Sequence, residues 1–154
     1  MFLTLFFAAL SARDLMPQEG GEEIEDITGK YEFLGPHDTL ALLEDAGRLN
    51  GYIDVFQEEE ESDDVLSYRI TLGSRQDRRL EIKTATIHRR YYRFKGAVER
   101  GKSREKSKPD YLRLVGELEN VTIEGDSGEE TVQKTHVVLK SLGESADEDA
   151  ADDE

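Results

Sequence analysis

The chain has 154 residues and a formal net charge of −15 at pH 7. This length fits a single domain with polar tails, and the charge argues against a protein that binds polyanions with its whole surface. Because the sequence contains no cysteine, disulfide bonds, cysteine-based metal sites and a thiol nucleophile are excluded. Hydrophobic and charged residues each make up 36% of the chain, so we expect an ordered core flanked by solvated segments.

The N-terminal segment, residues 1–12, has the pattern of a secretory signal. An apolar run from Phe2 to Leu10 ends in the small-residue stretch Ala9-Leu10-Ser11, which suits a signal peptidase. The run is too short to cross a bilayer as a helix, and a buried first strand is the alternative interpretation. We therefore expect an exported protein, periplasmic or secreted, without a transmembrane span.

Two polar segments bound the predicted domain. Residues 13–26 are acidic and contain Gly20-Gly21, which predicts a flexible linker. Residues 143–154 are rich in acids and hold no basic residue, which predicts a disordered acidic tail that keeps the protein soluble; a docking tail is the alternative. The folded domain is then predicted to span residues 27–142.

Apolar and polar residues alternate with period two along the middle of the chain, which is typical of half-buried strands. No segment has a sustained helical repeat. Residues 80–98 could form one long strand, but ordinary strand lengths favour a hairpin that turns at His88 to Arg90. The pattern predicts eight strands, which lie near residues 29–33, 40–44, 49–55, 66–72, 80–86, 92–98, 112–118 and 135–139.

Sequential strands joined by short turns usually pair with their neighbours. We therefore predict an all-β fold, an eight-stranded antiparallel up-and-down β-barrel, with a two-sheet sandwich as the alternative. Glycines in the inward register support tight bends of a barrel; they are Gly29, Gly51, Gly96 and Gly116. The outward residues are charged, which argues against a barrel that faces lipid.

Two stretches resemble known families. Ile27-Thr28-Gly29-Lys30-Tyr31, followed by Gly47-Arg48-Leu49-Asn50-Gly51-Tyr52, is similar to the opening of calycin-type barrels, the avidins and lipocalins, and implies a calycin-like fold. Avidins carry tryptophan where Tyr31 stands and use further tryptophans for biotin; this chain has none, so no biotin site is implied. Residues 87–101 resemble a segment of uncharacterised secreted bacterial proteins, which implies no known activity.

Hydroxyl groups in the inward register suggest a ligand pocket inside the barrel. A small-molecule pocket needs apolar walls and a few orienting polar groups. The predicted walls are Phe33, Ile53, Leu72 and Phe94. The predicted ligand-binding residues, for a small apolar or amphipathic ligand, are Tyr31, Tyr68, Thr84, Thr86 and Tyr92. A core filled by these side chains is the alternative.

A basic segment, residues 75–108, holds a local excess of nine positive charges in this acidic chain. The second functional hypothesis is therefore an interaction module that binds an anionic surface or a protein partner through Arg89, Arg90, Arg93 and Lys95. Nucleic acid is a disfavoured partner, since the aromatic residues between these charges alternate toward the core. A simple solvated basic face is the alternative.

No pattern of catalytic or metal-binding residues is readable. The three histidines, His37, His88 and His136, stand alone without ligand spacing, and no nucleophile motif or phosphate loop occurs. We therefore predict a non-enzymatic protein without metal or cofactor.

Overall fold

The computed structural model describes residues 23–57 and 64–144. The predicted signal segment, most of the predicted linker and almost all of the predicted acidic tail lie outside these residues. The described chain is all-β, with essentially no helix. Its eight strands are β1 (Gly29–Glu32), β2 (Thr39–Asp45), β3 (Arg48–Phe56), β4 (Val65–Gln76), β5 (Arg79–Thr84), β6 (Arg90–Arg100), β7 (Leu112–Ile123) and β8 (Glu130–Lys140).

The strands form a single antiparallel sheet in sequence order, from β1 to β8. The sheet curls into a half-barrel, which confirms the predicted all-β, eight-stranded up-and-down fold. Its two edges touch at one end, where Tyr31 and Ser141 form an isolated bridge and the Leu142 N–H donates to the Lys30 carbonyl at 2.8 Å.

The β5–β6 connection is a tight hairpin. The Ile87 and Arg90 backbones exchange two hydrogen bonds of 2.9 Å. His88 and Arg89, between them, have φ of 48° and 63°, as the central residues of a type I′ turn do. This confirms the predicted hairpin over one long strand. Because β5 ends at Thr84, Thr86 leaves the ladder and is exposed, so its predicted inward position is wrong.

The concave face of the half-barrel carries the hydrophobic core. Inward residues of every strand contribute to it, and aromatic rings lie at its centre. The Tyr92 ring meets Phe33 edge-on at 5.3 Å and Tyr68 edge-on at 5.0 Å between centroids. Gly96 and Gly116 face each other on β6 and β7, so close that a Cβ on either would overlap the opposite backbone. This close approach of two backbones requires glycine at both positions.

One end of the half-barrel is plugged by residues 23–28, of which Ile24 and Ile27 are buried in the core. The Arg75 guanidinium holds this segment. It donates to the carbonyls of Ile24 and Glu25, each at 3.0 Å, and pairs with Glu44. The ordered domain therefore begins N-terminal to the predicted boundary at Ile27.

Candidate functional site

The predicted ligand-binding residues occupy the concave face, except Thr86. Tyr31, Tyr68, Thr84 and Tyr92 are each at most 3% exposed. Tyr68, Thr84 and Tyr92 lie together, while Tyr31 belongs to the plugged end, where its hydroxyl donates to the Ile27 carbonyl at 2.7 Å. The structure therefore brings together three of the five predicted residues.

The Thr84 hydroxyl of this cluster is committed to structural contacts. The Thr84 hydroxyl accepts from the Tyr92 N–H and donates to the Ala85 carbonyl, both at 3.0 Å. Burial raises the pKa values of Tyr68 and Tyr92, and the nearby Arg90 charge partly opposes this rise. The phenols stay protonated at neutral pH and pack as core side chains.

One inward polar atom has no such commitment. Asn120 lies opposite Tyr92 on the adjacent strand, and its Oδ1 is buried without a hydrogen-bond partner among the described residues. A buried acceptor without a donor is costly, so it marks a place where water or a ligand would be favoured.

The predicted pocket walls include one error. Phe33, Ile53 and Phe94 are buried as expected, but Leu72 is 66% exposed. The register of β4 against β5 shifts between Ile70 and Leu72. After this irregularity Gly73 occupies the inward position opposite Ile82, and Leu72 lies beside Lys83 on the convex face. The register shift therefore reverses the face on which Leu72 is displayed.

A groove of about 180 Å³ crosses β4, β5 and β6 on the convex face. We call it the β4–β6 groove. Leu72 is its exposed apolar side chain, and its charged lining comprises Glu81, Lys83, Arg93 and Lys95. Because alternate strand residues point to opposite faces, the core residues Ile82 and Phe94 lie beneath it.

The charges in the β4–β6 groove are held with different strength. Arg93 pairs with Glu119 at 2.6 Å, and this hydrogen bond raises the pKa of Arg93. Lys83 and Arg93 lie over the Tyr91 ring, 5.1 and 5.9 Å from its centroid. Lys95 is 3.9 Å from Glu81 and 71% exposed, so its contact is weak and easily exchanged.

The four predicted partner-binding residues divide between two places. Arg93 and Lys95 line the β4–β6 groove. Arg89 and Arg90 lie at the β5–β6 turn, where Arg89 packs against Gly125 and Arg90 faces the Tyr68 and Tyr92 phenols. Sequence reasoning missed Leu72 and Lys83 as groove residues. Gly73, a glycine inside a strand pattern, was the available sign of an irregular strand.

Within residues 23–57 and 64–144, no three His, Cys, Asp or Glu side chains are grouped as metal ligands would be. His37 instead packs against the Phe56 ring at 5.9 Å. The same residues include no helix with the length and apolarity that a bilayer crossing requires.

Comparison with protein-family models and with curated proteins gives no match. The fold is therefore assigned from the order and pairing of its strands alone. The calycin resemblance stays a prediction.

Proposed function

We propose that this protein is a non-enzymatic interaction module whose β4–β6 groove binds an acidic segment of a protein partner. The observation that carries the proposal is Leu72. A leucine that is 66% exposed lies beside Lys83, Arg93 and Lys95 in the β4–β6 groove of the convex face. Apolar contact ringed by charge is the arrangement found in protein interfaces.

The size of the groove favours a protein segment over a free small molecule. Pockets for drug-sized ligands usually enclose about 300–1,000 Å³, whereas this groove holds about 180 Å³. That space suits one apolar side chain. A segment with one such side chain between carboxylates would place the apolar group against Leu72 and the carboxylates near Lys83 and Lys95.

The charge of the groove favours an acidic segment. Among the described residues, Lys95 has a distant contact with Glu81, and Arg93 can share its guanidinium between Glu119 and a new carboxylate. Salt screens the attraction between exposed charges, with a Debye length of about 8 Å at physiological salt. We therefore expect binding that weakens as salt is added, chiefly through slower association.

Binding to synthetic peptides tests this proposal. The probes are fluorescent peptides with one leucine between aspartates and glutamates, and a matched set with serine in place of leucine. Anisotropy should show binding of the leucine set, weakened at least tenfold by Arg93→Glu with Lys95→Glu. The control Arg78→Glu reverses a charge of the basic segment outside the groove and should bind as the unmodified protein does.

Two results would contradict this function. One is equal loss of binding in the control variant, and the other is no binding of any acidic peptide. Vesicles containing phosphatidylserine serve as the second probe in the same assay. Binding to vesicles alone, lost in the groove variant, would replace the protein partner with a membrane surface.

A second candidate function is binding of a small amphipathic ligand on the concave face. The unpartnered Asn120 Oδ1 favours it, since a ligand donor there would satisfy the buried acceptor beside Tyr92. Arg90 would meet an anionic end of the same ligand. Native mass spectrometry of protein expressed with its own N-terminal segment should then reveal a bound mass that Asn120→Leu removes. A clean chain mass in both proteins would argue against this candidate.

We also propose that the protein is exported and that its half-barrel is a calycin-like variant. The apolar run and small residues within residues 1–12 support export. The short first strand with Gly29 and Tyr31, followed by the β2–β3 hairpin with Gly47 and Gly51, supports the calycin likeness.

A further inference from the structure

Within residues 23–57 and 64–144, strand β8 has one long free edge. It pairs with β7 along its full length on one side. On the other side, β1 is only four residues long and reaches β8 at the Tyr31–Ser141 bridge. Residues 130–138 therefore have no strand beside this edge within the described part of the chain. Such an edge is a template for pairing with another strand.

The backbone groups at this edge can be assigned from the hydrogen bonds at both ends of β8. The Ser141 N–H donates to Leu112 and the Glu129 carbonyl accepts from Glu124, so odd-numbered residues face β7. The Leu142 N–H donates toward β1 instead. Even-numbered residues therefore present their N–H and C=O groups to the free edge. Within residues 130–138 they are Glu130, Val132, Lys134, His136 and Val138.

The exposed valines along the edge match a reversed copy of the edge, in a register that sets Lys134 opposite His136 beside the axis. We propose that β8 pairs with β8 of a second copy of this chain, antiparallel, around a two-fold axis at Thr135. Val132 then lies opposite Val138 of the partner subunit; these valines are 39% and 45% exposed in the single chain.

Neighbouring registers lack this match. An axis at Lys134 sets two ammonium groups directly opposite each other, which is unfavourable across strands. An axis at His136 sets Val138 against a lysine. The two-fold arrangement at Thr135 also follows the commonest symmetry of homo-oligomers. Each subunit would then provide the strand that the other subunit's edge lacks.

A single cysteine tests both the pairing and its register, because the natural chain has none. At the proposed axis, the two Thr135 residues form a pair without backbone hydrogen bonds, with Cα atoms about 4.5 Å apart, within disulfide range. Thr135→Cys in the full chain should therefore form a covalent dimer under mild oxidation. Thr131→Cys, which is also exposed and lies on the same face, should stay monomeric, since it lies opposite Leu139 of the partner subunit.

Sedimentation of the cysteine-free protein provides the second test. Lys134→Pro removes an N–H that points to the free edge and should weaken self-association roughly 30-fold, through two lost hydrogen bonds per dimer. Lys134→Ala keeps the N–H and should still dimerise. Equal cross-linking at Thr131, or a monomer at every concentration with no cross-link at Thr135, would overturn the proposal.

Discussion

Strands β4, β5 and β6 display an apolar, buried set of side chains on their concave face and a charged, exposed set on their convex face. The concave face holds Thr84, Tyr92 and Phe94, which are almost fully buried. The convex face holds Leu72 and Lys95, which are largely exposed. The difference follows from strand geometry, since neighbouring side chains point to opposite faces.

The concave face is expected to determine stability, and the convex face is expected to determine binding. The inward Thr84 hydroxyl bonds to the protein's own backbone. On the convex face the exposed Lys95–Glu81 pair contributes little to stability. Substitutions on the concave face should therefore change folding, and substitutions in the β4–β6 groove should change binding alone.

The largest expected effect is at the centre of the core. Tyr92→Ala removes a ring that contacts both Phe33 and Tyr68 and should lower the free energy of unfolding by about 3–5 kcal/mol. Urea unfolding measures this loss. Tyr52→Ala, at a tyrosine that is 41% exposed, is the control and should cost much less. Equal losses would contradict the assignment of the concave face as the core.

The next effect concerns a charge in the inward register. Arg75 joins the plug to the barrel through Glu44 and two carbonyls. Arg75→Met leaves Glu44 without its partner, so we expect a loss of about 3 kcal/mol in unfolding free energy. Arg78→Met, at an exposed neighbour, should have little effect. An unchanged urea midpoint for Arg75→Met would show that the plug contributes no stability.

A smaller effect should appear at alkaline pH. Burial raises the pKa values of Tyr68 and Tyr92 above their ordinary value of 10. The native state then holds protons that the unfolded state releases, so stability is present below pH 10 and is lost as pH rises through the native pKa values. Tyr68→Phe should raise the alkaline unfolding midpoint relative to Tyr52→Phe. The phenolate absorbance follows this titration cleanly, because the chain has no tryptophan.

The smallest expected change in stability is in the groove. Leu72→Ser removes a side chain that is mostly in solvent and should alter the free energy of unfolding by no more than about 0.5 kcal/mol. The same variant should bind the leucine-containing acidic peptides at least tenfold more weakly. A large loss of stability would mean that Leu72 belongs to the core after all.

The sequence predicted the fold better than the site. Period two located all eight strands, and the hairpin at His88 followed from strand length alone. The face of Leu72 could not be predicted, because one register shift in β4 reverses the alternation and depends on pairing with β5. The predicted inward position of Thr86 was wrong for a related reason, because the turn at residues 87–90 ends strand β5 before it. The plug by Ile24 depends on Arg75, which is distant in sequence.

Amide chemical-shift mapping with the leucine-containing acidic peptide shows which face of the sheet binds it. We expect shifts concentrated at the groove residues Leu72, Ser74, Lys83 and Lys95, with Tyr68, Tyr92 and Asn120 unchanged. Shifts concentrated at these three concave-face residues would contradict the division of the two faces and would move the binding site into the half-barrel.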